Sequence, residues 1–207
     1  MLLGDCALPA EEHASIVTVR VYNYAKVPRS FLRGAEREAG RIFTAAGLHT
    51  IWVDCLGPHI GAQWVSISAR PATWTERDCQ EPAGGVTVGL RLLGPAAAIR
   101  RAGFAEDLAG FATGRDLASI FYRRVEDLAW GADKDENETP LILGNVMAHE
   151  LGHLLLGTNS HSPSGIMCAN WDEDYLRQAL RGHQFFSPEQ SALMRAAVLR
   201  WQTETTP

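Results

Sequence analysis

The sequence lacks long apolar runs and basic clusters, and both absences exclude classes of partner. No stretch of the 207 residues approaches the roughly 18 consecutive apolar residues of a membrane-spanning helix, so no membrane span is expected. The formal net charge is −5 and there is no basic stripe, so nucleic acid is not an expected partner. The sequence also has no phosphate-loop glycine pattern and no G-x-S-x-G segment, which argues against nucleotide chemistry and against serine hydrolases with that motif.

Cysteines are few: Cys6, Cys55, Cys79 and Cys168. Cys55 and Cys79 flank a loop region rich in glycine, proline and tryptophan, and a disulfide between them is expected if the protein is exported. Buried free thiols in a cytosolic protein are the alternative, because disulfides persist mainly in oxidising compartments.

Length and composition predict one domain over residues 1–207, with its own core. Apolar residues make up 46% of the sequence and charged residues 21%, which is typical of a globular protein. A chain of this size forms a single domain, or a single domain with two lobes around a cleft. A monomer is favoured, although no sequence feature fixes the oligomeric state.

Local patterns predict strands and one helix in the first 128 residues. Alternating or β-branched residues predict strands, and apolar residues at helical spacing predict a helix that ends at a glycine. Residues 94–114 are rich in glycine and alanine and give no assignment. The predicted elements are strands at Ser15–Tyr24, His49–Cys55, Gly85–Leu93 and Leu117–Leu128, and a helix from Pro28 to Gly47.

A second long helix is predicted over residues 140–156. Thr139 is the expected N-cap and Pro140 the first helical residue, and the helix stops at Gly157. The helix has its own apolar residues on most of its sides, so it is expected to be buried between layers of the fold.

Two further helices are predicted after residue 170. The segment "WDEDYLRQALRG" is typical of a short helix, and "SPEQ" opens a terminal helix with Ser187 as N-cap and Gln190 completing a capping box. The order of elements predicts an α+β fold: a twisted sheet backed by two long helices, and a small C-terminal lobe that ends in a helix.

The buried helix carries the motif H-E-x-x-H. His149 and His153 are four residues apart, so both imidazoles project from the same side of the helix and can hold one zinc ion. Glu150 lies beside the first ligand and can take a proton from the nucleophilic water. Two histidines and a glutamate buried without partners would be costly, which makes a purely structural role unattractive.

The third zinc ligand has two candidates. His161 follows the turn at the end of the helix, and Glu173 opens the next helix, as a downstream glutamate does in H-E-x-x-H enzymes resembling thermolysin. Asn159 is a poor candidate, because an amide oxygen competes badly with imidazole or carboxylate for zinc. His161 is the preferred ligand, and Glu173 stays open as the alternative.

The segment "HELGHLLLGTNSH…GIM" resembles the metzincin zinc peptidases, whose pattern is H-E-x-x-H-x-x-G-x-x-H followed by a methionine turn. The resemblance implies that Gly157 turns the chain below the metal, that His161 is the third ligand, and that the turn "SGIM" brings Met167 under the zinc. Gly157 stands one residue later than in the pattern and His161 two residues later, with Asn159 at the usual ligand position.

The same resemblance implies a metzincin-like fold with a mostly parallel sheet. Residues 15–157 would form the upper lobe with the active-site helix 140–156, and residues 158–207 the lower lobe. It further implies a zinc-dependent endopeptidase acting on a peptide or protein substrate, which would lie along an edge strand from residues 85–93 or 117–128.

Three alternatives remain open at this point. The same zinc site could serve an amidase acting on a non-protein substrate. A non-catalytic zinc-stabilised binding module is the other class, with Cys168 or Cys6 as a fourth ligand. Cys6 or Asp5 could instead hold a peptidase latent by binding the zinc.

The sequence predicts the cellular compartment only indirectly. The four cysteines and the metzincin resemblance favour a secreted or periplasmic protein. The segment "MLLGDCALPA" lacks a charged n-region and is too short for a signal peptide, so a cytoplasmic location stays open.

Overall fold

The computed structural model describes residues 15–55, 79, 85–94, 108–133 and 138–204. These residues form five strands and five helices. The strands are β1 (Ser15–Asn23), β2 (Leu48–Cys55), β3 (Val86–Leu93), β4 (Gly110–Thr113) and β5 (Leu117–Phe121). The helices are α1 (Arg29–Ala45), α2 (Tyr122–Asp133), α3 (Thr139–Leu156), α4 (Glu173–Leu180) and α5 (Pro188–Glu204).

The five strands form one sheet in the order β2-β1-β3-β5-β4. All neighbouring strands run parallel except β4, which is antiparallel to β5. The sequence therefore predicted a mostly parallel sheet correctly. The interior strand β1 is buried on both faces through Val17, Thr18 and Val19, as parallel strands with covered faces are.

Helices α1 and α3 pack closely because small residues lie where they meet. A Cβ atom added at Gly144 would lie 2.7 Å from the carbonyl oxygen of Ala35, and one at Gly34 would lie 2.8 Å from Cβ of Pro140. Gly47 has a φ of 77° and ends α1 as predicted, since the left-handed conformation suits glycine. Together α1 and α3 cover the apolar core beside the sheet.

Helix α3 is buried along nearly its whole length, as the apolar residues on most of its sides predicted. The predicted cap at its start is wrong by one residue. Glu138 occupies the N-cap position without a side-chain hydrogen bond, and Thr139 is already helical and buried. Thr139 therefore does not have the non-helical backbone that a capping residue needs. The end is as predicted, with Gly157 in the left-handed conformation at φ 67°.

The segment 117–128 departs from its prediction as one continuous strand. Strand β5 ends at Phe121 and α2 begins at Tyr122. The buried side chains of α2, Val125, Leu128 and Ala129, have helical rather than alternating spacing.

The edge strand also differs from prediction. Both β3 and β5 are interior to the sheet, so neither 85–93 nor 117–128 supplies the edge that was expected to meet substrate. Among the described strands the two outer ones are β2 and β4, and β4 lies within the unassigned segment 94–114.

Both C-terminal helices begin with a side-chain cap, and the cap of the second, Ser187, was predicted. Oδ1 of Asp172 accepts a hydrogen bond from the backbone N–H of Tyr175 at 2.9 Å, at the start of α4. At the start of α5 the backbone N–H of Gln190 donates to Oγ of Ser187 at 3.2 Å, and Oε1 of Gln190 accepts from the Ser187 N–H at 2.8 Å. The capping box is therefore confirmed.

The structure joins Cys55 and Cys79 by a disulfide, the pairing that the sequence analysis considered. The loop between them and Cys6 lie outside the described residues. Among the helices that the structure describes, none is both long and apolar enough to cross a membrane.

Candidate metal centre

The two histidines of the H-E-x-x-H motif face each other one turn apart on α3. Their Nε2 atoms are 3.1 Å apart and their rings meet edge to face. His149 and His153 are 6% and 7% exposed, so both imidazoles are removed from bulk water. This spacing follows from the helix itself, which brings side chains at i and i+4 together.

Backbone carbonyl groups fix which nitrogen of each ring carries the proton. Nδ1 of His149 lies 2.8 Å from the carbonyl oxygen of Ile166, and Nδ1 of His153 lies 2.8 Å from that of Thr158. A carbonyl oxygen only accepts, so each Nδ1–H donates, and the Nε2 of each neutral ring keeps its lone pair. Two lone pairs facing each other at 3.1 Å repel unless a cation lies between them.

The site also favours neutral imidazoles, the form that binds metal. Burial lowers the pKa of His149 to about 4, although its hydrogen bond to Ile166 acts in the opposite direction. Burial likewise lowers the pKa of His153, again against a backbone hydrogen bond, to Thr158. Both rings are therefore available as ligands near neutral pH.

His161 completes a group of three imidazoles. Its ring centroid is 5.3 Å from that of His149 and 4.9 Å from that of His153. One ligand atom from each histidine lies within 4.8 Å of the others, so the three can hold one metal ion. His161 is exposed, whereas the two helical histidines are buried, so the group opens toward solvent on one side.

The chain returns to α3 through the turn that contains Met167. The N–H of Ser162 donates to the carbonyl oxygen of Met167 at 2.9 Å, which closes the loop that carries His161. Met167 is fully buried, and its Sδ would lie 2.7 Å from a Cβ atom at Gly152. The turn thus contacts the helix between the two histidines, where only a glycine leaves room for it.

Glu150 is buried beside the first histidine and touches the edge strand. It is 5% exposed, and burial raises the pKa of its carboxyl to about 8. A Cβ atom added at Gly110 of β4 would lie 2.8 Å from Cγ, Cδ and Oε1 of Glu150. Sequence reasoning missed Gly110, because it lies in a stretch without periodicity and only the tertiary fold brings it to the carboxylate.

Trp171 is a second residue that sequence reasoning missed at this site. Its ring lies edge to face with that of His149, at 5.9 Å between centroids, and it stacks on Tyr175 at 4.6 Å. The indole N–H donates to the carbonyl oxygen of Cys168 at 3.0 Å. The tryptophans show no shared spacing in the sequence, so no pattern there marks Trp171 as part of the metal site.

The other candidate ligands lie outside the three-histidine group. Glu173 is exposed and pairs with Arg177 at 3.5 Å. The Cys168 thiol lies 3.8 Å and 3.5 Å from the carbonyl oxygens of Pro163 and Asn170, so its hydrogen-bond partners are backbone groups. Asp5 and Cys6 are outside the described residues.

Three imidazoles fit a single zinc ion, as the sequence predicted. Catalytic zinc sites use three protein ligands and leave a fourth position for water or substrate, whereas structural sites fill all four. Within the described part of the chain, no fourth histidine, cysteine or carboxylate joins the group.

The fold is similar to those of two solved structures. One is a zinc-dependent peptidase from Methanocorpusculum labreanum, with a TM-score of 0.51 and 16% identity over 85% of this chain and 99% of that one. The other is archaemetzincin from Methanopyrus kandleri, with a TM-score of 0.53 and 13% identity over 92% of this chain and 100% of that one. Comparisons with protein-family models and with curated proteins find no match. Identities this low show a shared fold, in agreement with the predicted zinc-peptidase architecture at a coarse level.

Proposed function

We propose that this protein is a zinc-dependent endopeptidase of metzincin type. His149, His153 and His161 hold the zinc, and Glu150 is the general base. The observation that carries the proposal is that three imidazoles converge beside a buried carboxylate. In two of them a backbone carbonyl holds the Nδ1–H, so that the Nε2 lone pair is left for the metal. The two proteins of similar fold, a zinc-dependent peptidase and an archaemetzincin, support the same activity.

The proposed mechanism uses the chain's own groups as follows. Bound zinc supplies Lewis-acid polarisation of the scissile carbonyl and acidifies water. Glu150 accepts the proton of the attacking water and later donates it to the leaving amine. Its burial removes the carboxylate from bulk water, which favours passing the proton to the leaving amine over losing it to solvent. The carbonyls of Ile166 and Thr158 keep both helical rings in the orientation that the ligands need.

The proposed substrate is an extended peptide that pairs with the outer edge of β4. Among the described strands β4 is the outermost on one side of the sheet, and its first residue, Gly110, touches Glu150. Adding a strand to a sheet edge satisfies the peptide's backbone through main-chain hydrogen bonds. The scissile bond would then lie next to the general base.

The experiment that tests the proposal is the substitution Glu150→Gln in the full chain. We expect zinc content to stay near one per chain, while cleavage of a mixed peptide library falls by at least about 1,000-fold. Glu173→Gln is the matched control, since Glu173 is exposed, and it should cleave at the parent rate. Cleavage by Glu150→Gln at the parent rate would contradict the mechanism.

Small amide substrates assayed beside the library distinguish the amidase alternative. Turnover of small amides without cleavage of any peptide would favour an amidase that uses the same zinc site. A hydroxamate inhibitor that fails to bind the zinc-loaded protein would favour a closed, non-catalytic module.

We further propose that the protein acts in an oxidising compartment. The Cys55–Cys79 disulfide supports export, because such bonds are rare in reducing cytosol. Mass spectrometry of peptides from protein isolated from its native source should find the two cysteines linked, and finding both as free thiols would contradict the proposal.

A further inference from the structure

A cavity of about 300 Å³ lies directly beside the metal site. One wall is His153 and the C-terminal end of α3, a second is the end of β4, and a third is the last part of α5. The residues used in the argument below are Ala112, Arg115, His153, Thr158, Arg200 and Trp201. The cavity thus shares one residue, His153, with the three-histidine group.

The charged side chains in the cavity lining are cationic. Arg115 and Arg200 line the cavity, and none of the described residues in the lining is a carboxylate. Among the described residues, Arg200 has no carboxylate within ion-pair distance. Arg115 pairs with Glu204 only at 3.9 Å, with both side chains more than half exposed, so that pair is weak. The charged groups of the cavity lining are thus positive, whereas the whole chain has a net charge of −5.

Among the described residues, Asp116 is a further carboxylate close to the cavity. Asp116 has Oδ1 3.8 Å from the position of a Cβ atom at Gly114, but Asp116 is not part of the lining. Asp116 is exposed, so water screens its effect on a group bound between the two arginines.

The guanidinium of Arg115 is partly ordered before any ligand binds. It lies over the ring of Trp201, 5.1 Å from the centroid. A cation stacked on an aromatic face loses less side-chain freedom on binding than an isolated one. A planar guanidinium also binds a carboxylate through two parallel hydrogen bonds, which an ammonium group cannot do.

The direction of β4 determines which substrate residues, those before or those after the cleaved bond, lie near the cavity. The strand runs from Gly110, beside Glu150, to Thr113, next to the cavity. A peptide added antiparallel to β4 runs the opposite way, so its residues before the scissile bond lie toward the cavity. Antiparallel pairing is the more stable arrangement per residue for an added strand.

We propose that this cavity is a specificity subsite for an acidic side chain on the N-terminal side of the scissile bond, read by Arg115 and Arg200. The inference rests on the proposed peptidase function and names its substrate class: peptides with Glu or Asp shortly before the cleaved bond. Thr158 adds a neutral hydrogen-bonding group to the same lining.

The test is a set of peptides that differ only at single positions before the cleavage site, carrying Glu, Gln or Lys. We expect kcat/KM for Glu to exceed that for the isosteric Gln by about 5- to 10-fold at one of these positions. Arg200→Glu should remove this preference and favour Lys at the same position. Glu204→Gln, which frees Arg115 from its weak pair, should increase the preference for Glu by about 2-fold.

Arg181→Glu is the matched control, because Arg181 is exposed, lies outside the cavity and makes the same change in net charge. It should keep the parent preference. Cleavage of the peptides with no preference for Glu at any position before the bond would overturn the subsite but leave the peptidase function intact. Failure to cleave any peptide would overturn both, and an equal loss of preference in Arg181→Glu would show a general charge effect and overturn the subsite.

Discussion

Gly110→Ala separates positioning of the general base from metal binding. The added Cβ would lie 2.8 Å from Cγ, Cδ and Oε1 of Glu150, whereas ordinary contacts begin at 3.4 Å. The Glu150 side chain must therefore move by about 0.6 Å, given that β4 is held in the sheet by its pairing with β5. None of the metal ligands is among the three atoms nearest to the added carbon.

The expected effect is mainly on kcat. Misplacing a catalytic group by about 1 Å can reduce the rate by about 100-fold, so we expect kcat to fall by about 10- to 100-fold. The zinc content should remain near one per chain. The free energy of unfolding should fall by no more than about 1–3 kcal/mol, the usual effect of one extra methyl group in a packed site.

The assay measures kcat and KM on one cleaved peptide, zinc content, and unfolding in denaturant. Gly131→Ala is the control, because nothing lies within 4 Å of a Cβ atom there, and alanine in helix α2 should be neutral or stabilising. A parent-like kcat in Gly110→Ala, with the fold intact, would refute the role assigned to the contact between Gly110 and Glu150.

Three further predictions follow from the same geometry. His161→Ala should weaken zinc binding by at least about 100-fold in a competition titration, while Glu173→Gln leaves it unchanged; the reverse result would make Glu173 the third ligand. Gly152→Ala should lower the free energy of unfolding by about 1–3 kcal/mol, because its Cβ would lie 2.7 Å from Sδ of Met167 and 2.8 Å from Phe186, and a stabilised variant would contradict that packing. Burial, and to a lesser extent Asp54, raise the pKa of Glu36 to about 8 from 4.5, so the folded state holds this proton more tightly than the unfolded state. Stability should thus fall as pH rises from 4.5 to 8, and Glu36→Gln should flatten that decline in denaturant unfolding at several pH values; an unchanged slope would contradict it.

The parts of the fold that were predicted correctly have strong local signals. Helix α3 has an apolar surface on nearly all sides and a glycine at its end, and α5 has a capping box at Ser187. The pairing of His149 with His153 follows from helical periodicity alone. His161 was reached through its spacing and the family resemblance, and the fold then brings its ring near the other two.

The parts that were missed depend on contacts between distant segments. Strand β4 consists of four residues in a glycine- and alanine-rich stretch, which is too short for a pattern of alternation. The contact of Gly110 with Glu150 exists only because β4 pairs antiparallel to β5 beside α3. The change from strand to helix at Tyr122 was not predicted, because the apolar residues of Leu117–Leu128 fit the period of a strand as well as that of a helix.

The Nδ1 partners of the histidines were likewise unpredictable. Ile166 supplies its carbonyl from a turn 17 residues beyond His149, and Thr158 supplies one from the loop after α3. Backbone groups carry no side-chain signature, so nothing in the sequence marks them. The cavity lined by Arg115 and Arg200 could not be predicted either, because the turn that carries Arg115 and the helix that carries Arg200 meet only in the folded chain.

X-ray absorption spectroscopy of the zinc-loaded protein can identify the ligands of the metal directly. We expect one zinc per chain with three imidazole nitrogens and one further oxygen ligand, all at about 2.0–2.1 Å, and no sulfur. A sulfur scatterer at about 2.3 Å, which would mean a closed site with a cysteine ligand, would contradict it, as would failure of the folded protein to retain stoichiometric zinc.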